Sequence, residues 1–155
     1  MENTNYYNSG LHKLVQNDTD GAIEDFEKAI EIEPKHVVAY NKLGHSYSDK
    51  GDFDNAIRVY SKSLEIIDNP TIKGLLGNAY FKRGLTYLDK EDYKNAIISF
   101  SESIKIEDST DYYHIRGLAY YNDGQVEAGI KDWEEVLKRE PDNERVQQFL
   151  KQAKE

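Results

Sequence analysis

The sequence predicts an all-α protein: a right-handed α-α superhelix built from stacked helix-turn-helix hairpins. Three observations carry that expectation. Small residues recur in register, with Gly10, Gly44, Gly84 and Gly117 separated by 34, 40 and 33 residues. Apolar residues around them recur at helical spacing, and polar breakers interrupt that spacing once within each unit. Only three prolines, Pro34, Pro70 and Pro141, interrupt the 155 residues, which leaves long stretches free to be helical. Self-similarity at such a period marks an array, here four units at about 3–36, 37–70, 77–109 and 110–143, read as one domain over 1–155.

In the first unit Tyr6, Gly10 and Lys13 share one helix, "NDTDG" breaks it, Ala22 and Phe26 share a second, and Pro34 closes the unit. The second unit is the most regular. Tyr40, Leu43, Gly44 and Tyr47 stand at i, i+3, i+4 and i+7, and Ala56, Tyr60 and Ser63 follow on the partner helix. Between them, in "KGDFD", Asp52 is placed to accept the free N–H groups of the next helix, as Asp92 is in "KEDYK" of the third unit. The third unit then gives Tyr80, Gly84, Tyr87, Ala96, Phe100 and Ser103. The fourth gives Tyr113, Gly117 and Tyr120, the breaker "NDGQV", then Gly129 and Trp133.

The glycine of one helix and the alanine of the other have a packing reason: two helices approach most closely where neither carries bulk, and the aromatics fill the space beside that point. One such hairpin cannot bury its apolar face alone, but stacked neighbours can. This explains the repeated "RGL" at Arg83 and Arg116, which stand where the second unit has Leu43. Such arginines lay their stems on apolar surface and send the guanidinium to a carboxylate or to water. A phosphate cradle needs instead a glycine-rich loop of free N–H groups.

Two features break the regularity. The 40-residue spacing leaves an insertion at about 70–76, in "NPTIKGLL", where Asn69 can cap and Pro70 can take the first helical position. The first helix of the third unit is expected to begin there and to project beyond its neighbours by more than a turn, although Gly74 and Gly77 disfavour it. At the other end Val146, Phe149, Leu150 and Ala153 share a helix face, while Lys151 occupies the place of a fifth glycine. The segment 144–154 therefore reads as a capping helix over the last apolar face, with no matching cover on the N-terminal unit.

Composition excludes several functions. With no cysteine there is no disulfide, thiolate zinc site or cysteine nucleophile. The net charge of −9 and the absence of a basic run argue against nucleic acid. No apolar run reaches the roughly 20 residues of a membrane helix, and "MENTNYYNSG" lacks the pattern of a secretory signal. A cytoplasmic protein without membrane insertion is expected. His12, His36, His45 and His114 show no metal-ligand spacing. Carboxylate pairs such as Asp132 with Glu135 read as polar helix faces, and neither Gly-x-Ser-x-Gly nor a Walker loop occurs. Neither catalysis nor a cofactor is expected.

The pattern resembles the tetratricopeptide repeat. Tyr40, Leu43, Gly44, Tyr47, Ala56 and Tyr60 stand where that family places its aromatic, Leu, Gly, Tyr, Ala and aromatic; Lys13, Gly129, Ser63 and Ser103 depart from it. The resemblance implies a solenoid whose first helices line a concave groove that holds a peptide or helix of another protein. The lining it implies is Tyr7, Leu11 and Leu14; Val38, Asn41, His45 and Asp49; Asn78, Phe81, Leu85 and Leu88; and His114, Leu118, Tyr121 and Asn122. Leucines and aromatics suit the apolar face of a partner, and Asn41 and Asn78 suit its main chain. Leu85, Leu88 and Tyr121 also fit ordinary packing between hairpins. Family members that grip a C-terminal carboxylate do so with Lys, Asn and Arg. Here Tyr7, Leu11, Lys42 and Asn78 stand at those places and only Lys82 matches, so no such clamp is expected. The alternative to a groove-binding scaffold is a homo-oligomer paired through the N-terminal hairpin or the insertion.

Overall fold

The structure is a computed structural model and describes residues 2–155. The described residues form nine helices and no strand. They are α1 (Glu2–Val15), α2 (Thr19–Ile32), α3 (Val37–Asp49), α4 (Phe53–Ile66), α5 (Pro70–Asp89), α6 (Tyr93–Ile106), α7 (Thr110–Asn122), α8 (Val126–Arg139) and α9 (Glu144–Lys154). The chain forms two compact units, Met1–Ala79 and Tyr80–Glu155, and their boundary falls inside α5.

The close approach of paired helices follows from the repeated glycines. A methyl group placed on Gly10, Gly44 or Gly84 would lie 2.6, 2.6 and 2.5 Å from the rings of Phe26, Tyr60 and Phe100, and one on Gly117 would lie 2.7 Å from Trp133 Nε1. No side chain fits there, so each aromatic ring packs directly on the backbone of the opposite helix. Opposite them Ala22, Ala56 and Ala96 are fully buried.

The turns recur as closely as the helices. The first helices of the hairpins end on a residue in the left-handed region: Asn17, Gly51, Glu91 and Gly124, with φ of 62, 76, 58 and 80°. The next amide reaches back to the carbonyl of Lys13, Tyr47, Tyr87 or Tyr120, the six-to-one bond that closes a Schellman motif. The second helix is then capped by Asp18, Asp52 or Asp92, whose carboxylate accepts from the backbone N–H of Gly21, Asn55 or Asn95. In the fourth hairpin Gln125 holds that place without a side-chain cap.

The insertion is helical. Asn69 Oδ1 accepts from the N–H groups of Thr71 and Ile72, Pro70 opens α5, and the helix runs 20 residues against 13 or 14 for α1, α3 and α7. The added turns do not stand bare, since Ile72 is 1% exposed.

In the first unit Ala22, Ile23, Phe26, Leu43 and Val59 form a core flanked by Tyr7, Leu11, Leu14, Tyr40 and Tyr47. In the second unit Ala96, Ile97, Phe100 and Ala119 form one cluster, and Trp133, Val136 and Val146 form another beneath α9.

One expectation is corrected. Asp132 does not belong to a polar face: it is 6% exposed, and Arg116 grips it with two bonds of 2.7 and 2.8 Å. Arg116 also reaches Ser101 Oγ at 3.1 Å and lies over the rings of Tyr113 and Tyr120. The carboxylate that the arginine needs is thus supplied from the paired helix, 16 residues on.

Candidate functional site

Helix α3 presents the most open of the expected lining. Its side chains Ala39 and Leu43 are buried in the first unit. The 100° step between helical residues then turns Val38, Asn41, Lys42 and His45 outward as an i, i+3, i+4, i+7 stripe. His36 caps this helix, its Nδ1 accepting from the Ala39 amide at 3.3 Å, which sets where the stripe begins. Val38 is 50% exposed, a large apolar side chain left in water.

Asn41 is fixed from behind. Its Oδ1 accepts from Ser63 Oγ at 3.0 Å, and Ser63 is fully buried on α4. The serine that replaces a small alanine in the repeat therefore holds the Asn41 amide in place. With its carbonyl oxygen engaged, Asn41 keeps its Nδ2 as a donor.

Asn41, Lys42 and His45 meet Leu75 from the first half of α5 around a shallow pocket of about 220 Å³. That is below the roughly 300–1,000 Å³ of small-molecule sites and suits one side chain of a larger partner. His45 Nε2 stands 4.0 Å from Asp49, both exposed. The polar groups at the rim are a lysine, an imidazole and an amide.

The other expected lining residues are distributed differently. Asn78 is exposed, and Asn122 is exposed at the end of α7. Tyr7, Leu11 and Leu14 are half-buried against the core of the first unit. Phe81, Leu85 and Leu88 are half-buried in the second unit, where Phe81 stacks on Tyr112 at 4.5 Å and touches Phe100 at 5.6 Å. Their first task is hairpin packing. Leu118 and Tyr121 lie in the cluster with Phe149, Leu150 and Ala153 of α9, and the His114 ring faces Phe149, so the chain's own last helix sits on them. Lys42 and Leu75 join the pocket without having been expected there. Lys42 lies one turn after Val38. Leu75 is hidden by the insertion, which shifts α5 out of the register that the other units share.

Among the described residues, no group of three or more His, Cys, Asp or Glu side chains converges as a metal site. None of their helices is long and apolar enough to cross a membrane. The buried acids are committed. Burial pushes Asp25 up, but bonds from Lys13 at 2.8 Å and Ser9 at 2.6 Å outweigh it and hold the carboxyl below its usual range.

Models of the tetratricopeptide repeat match residues 35–109 and 110–143, and a model described as TPR repeat matches 14–51. Among curated proteins, the small glutamine-rich tetratricopeptide repeat-containing protein 2 of Mycosarcoma maydis is 38% identical over 47 residues; the match spans 30% of this chain and 13% of that protein. Among solved structures, MamA protein superposes with a TM-score of 0.61 and 25% identity, covering 98% of this chain and 80% of that one. MamA from Desulfovibrio magneticus RS-1, from residue 41 to its end, gives 0.59 and 21%, covering 98% and 83%. These likenesses show the fold, an all-α repeat solenoid.

Proposed function

Because this chain belongs to the tetratricopeptide repeat family, whose members are protein-interaction scaffolds, we propose that it holds a peptide or helical segment of another protein, with the surface of α3 and the start of α5 as the principal contact. The observation that carries this reading is the exposed Val38 beside the pocket of Asn41, Lys42, His45 and Leu75. A half-exposed valine on a helix whose neighbours are buried costs little to cover and gains apolar burial, about 25 cal/mol for each Å² removed from water. Asn41, held by Ser63, adds a donor whose position is set before the partner arrives. The buried acids Asp25 and Asp132 are engaged by Lys13, Ser9 and Arg116 in structural pairs.

Affinity capture from cell lysate, with wild type beside a Val38→Glu/Leu75→Glu variant, tests this. The expected result is a partner held by wild type and lost by the variant, with circular dichroism and urea midpoint unchanged. Equal capture by both would overturn the assignment of this surface. Recovery of copies of this chain alone would favour homo-oligomerisation, for which the motive is Val15, 84% exposed at the end of α1. An alanine change at Phe81 is not a clean probe of binding, because Phe81 also supports Phe100 and Tyr112.

A further inference from the structure

Helix α9 rests on a histidine whose surroundings suit only its neutral form. His114 lies on α7, and its backbone carbonyl accepts from Trp133 Nε1 at 3.2 Å. Its ring faces Phe149 of α9 at 5.5 Å between centroids. Both ring nitrogens, Nδ1 and Nε2, are buried without a hydrogen-bond partner. A neutral imidazole already leaves one donor and one acceptor unsatisfied there, and an imidazolium would leave two charged donors so. Three charged groups face it. Arg145 of α9 opposes protonation, while Asp111 of α7 and Glu140 at the end of α8 favour it. Burial is the largest influence and, with Arg145, it wins, holding the imidazole below its usual range.

We propose that α9 is an acid-sensitive latch: its docked position excludes protonated His114, so acidification releases α9 and uncovers the face formed by His114, Leu118, Tyr121 and Trp133. The sign follows from linkage. The free ring takes up a proton near 6.5 and the docked ring at a lower pH. Docking is therefore at full strength above 6.5 and weakens about tenfold per pH unit from there down to the docked value. Other attachments of α9 include the buried Val146, Leu150 and Ala153 in the cluster with Trp133, the stack of Phe149 on Trp133 at 5.4 Å, and Lys154 paired with Glu134 at 2.9 Å. None of them supplies a partner to the ring nitrogens. His114, Leu118 and Tyr121 of the released face are expected groove positions of the fourth unit, so the latch governs access to a surface suited to an amphipathic helix.

Amide hydrogen exchange of the full chain between pH 8 and 4.5, corrected for intrinsic rates, reads the latch directly because it detects rare openings. Amides of α9 should lose protection as pH falls below 6.5, by up to about tenfold per pH unit until the docked ring itself takes up its proton, while those of α3 and α4 do not. Trp133, the only tryptophan, gives a second signal, since its emission should move to the red as Phe149 leaves it. His114→Leu should abolish the pH dependence of α9. Phe149→Ala should free α9 at neutral pH and return the His114 titration, followed by NMR, toward 6.5. Protection of α9 that does not change across this range would overturn the proposal. So would a His114→Leu chain that titrates as wild type does, or a wild-type His114 that titrates at or above 6.5, a reading that needs no variant to fold.

Discussion

A methyl group added at Gly74 meets nothing within 4 Å, whereas one at Gly129 lies 2.8 Å from the carbonyl oxygen of Gly117. Both residues are helical, so alanine gains roughly 1 kcal/mol of helix propensity at each. At Gly74 nothing opposes that gain, and Gly74→Ala should stabilise by about 0.5–1 kcal/mol. At Gly129 the obstacle is backbone and cannot rotate away. Gly129→Ala, though it restores the alanine of the other hairpins, should lower the urea midpoint. If both variants shift the midpoint upward, the close approach of α7 and α8 is wrong. The small-against-large rule was legible in the sequence at Gly10, Gly44, Gly84 and Gly117. The exception at Gly129 had no legible cause, because the separation of two particular helices is a property of their packing.

Residues 16 apart face each other across each hairpin, and the chemistry at that spot differs every time. It is Ser9 with Asp25, Leu43 with Val59, Arg83 with Ser99, and Arg116 with Asp132. The first pair is completed by Lys13, the residue that replaces the family tyrosine. Position Leu43 announced that Arg83 and Arg116 would be structural. Their partners were illegible because Ser99 and Asp132 look like surface residues until the paired helix is placed over them. Removing one side of the last pair leaves the other charge buried and uncompensated. Arg116→Leu alone should destabilise by about 3–5 kcal/mol. Arg116→Leu with Asp132→Val reproduces the second hairpin's pair and should recover most of that loss. A double-mutant cycle by urea denaturation checks it, and additive losses would show that the two side chains do not depend on each other.

At the scale of the whole molecule, the phenols of Tyr47 and Tyr60 tie stability to alkaline pH. Tyr47 is pushed up to about 12 by burial and then by Glu27, whose carboxylate accepts a hydrogen bond from its hydroxyl at 2.6 Å. Tyr60 is pushed up to about 12 chiefly by burial. The folded chain keeps both neutral where the unfolded chain ionises them near 10. Their contribution is complete below pH 10 and is lost as pH rises from 10 to 12. Stability measured in urea should fall through that window, and Tyr47→Phe should flatten part of the fall. An unchanged slope would remove Tyr47 from the account. The order of hairpins and the capping of α4 and α6 were legible throughout the chain, since they rest on local spacing. The site was less so. The sequence offered fifteen groove positions without ranking them, and only the packed structure separates Val38, Asn41 and His45, which stay accessible, from Phe81, Leu85 and Leu118, which the cores absorb.

The unlike pairs at the 16-residue spacing bear on how such a chain can be recombined. A crossover between hairpins carries each pair intact into its new setting. A crossover in the turn within a hairpin does not: joining α3 to α8 sets Leu43 against Asp132, and joining α7 to α4 sets Arg116 against Val59, in each case a buried charge without its counter-ion. Units that look interchangeable by their glycines and aromatics are thus keyed in their interiors, and viable chimaeras should have their joints between units.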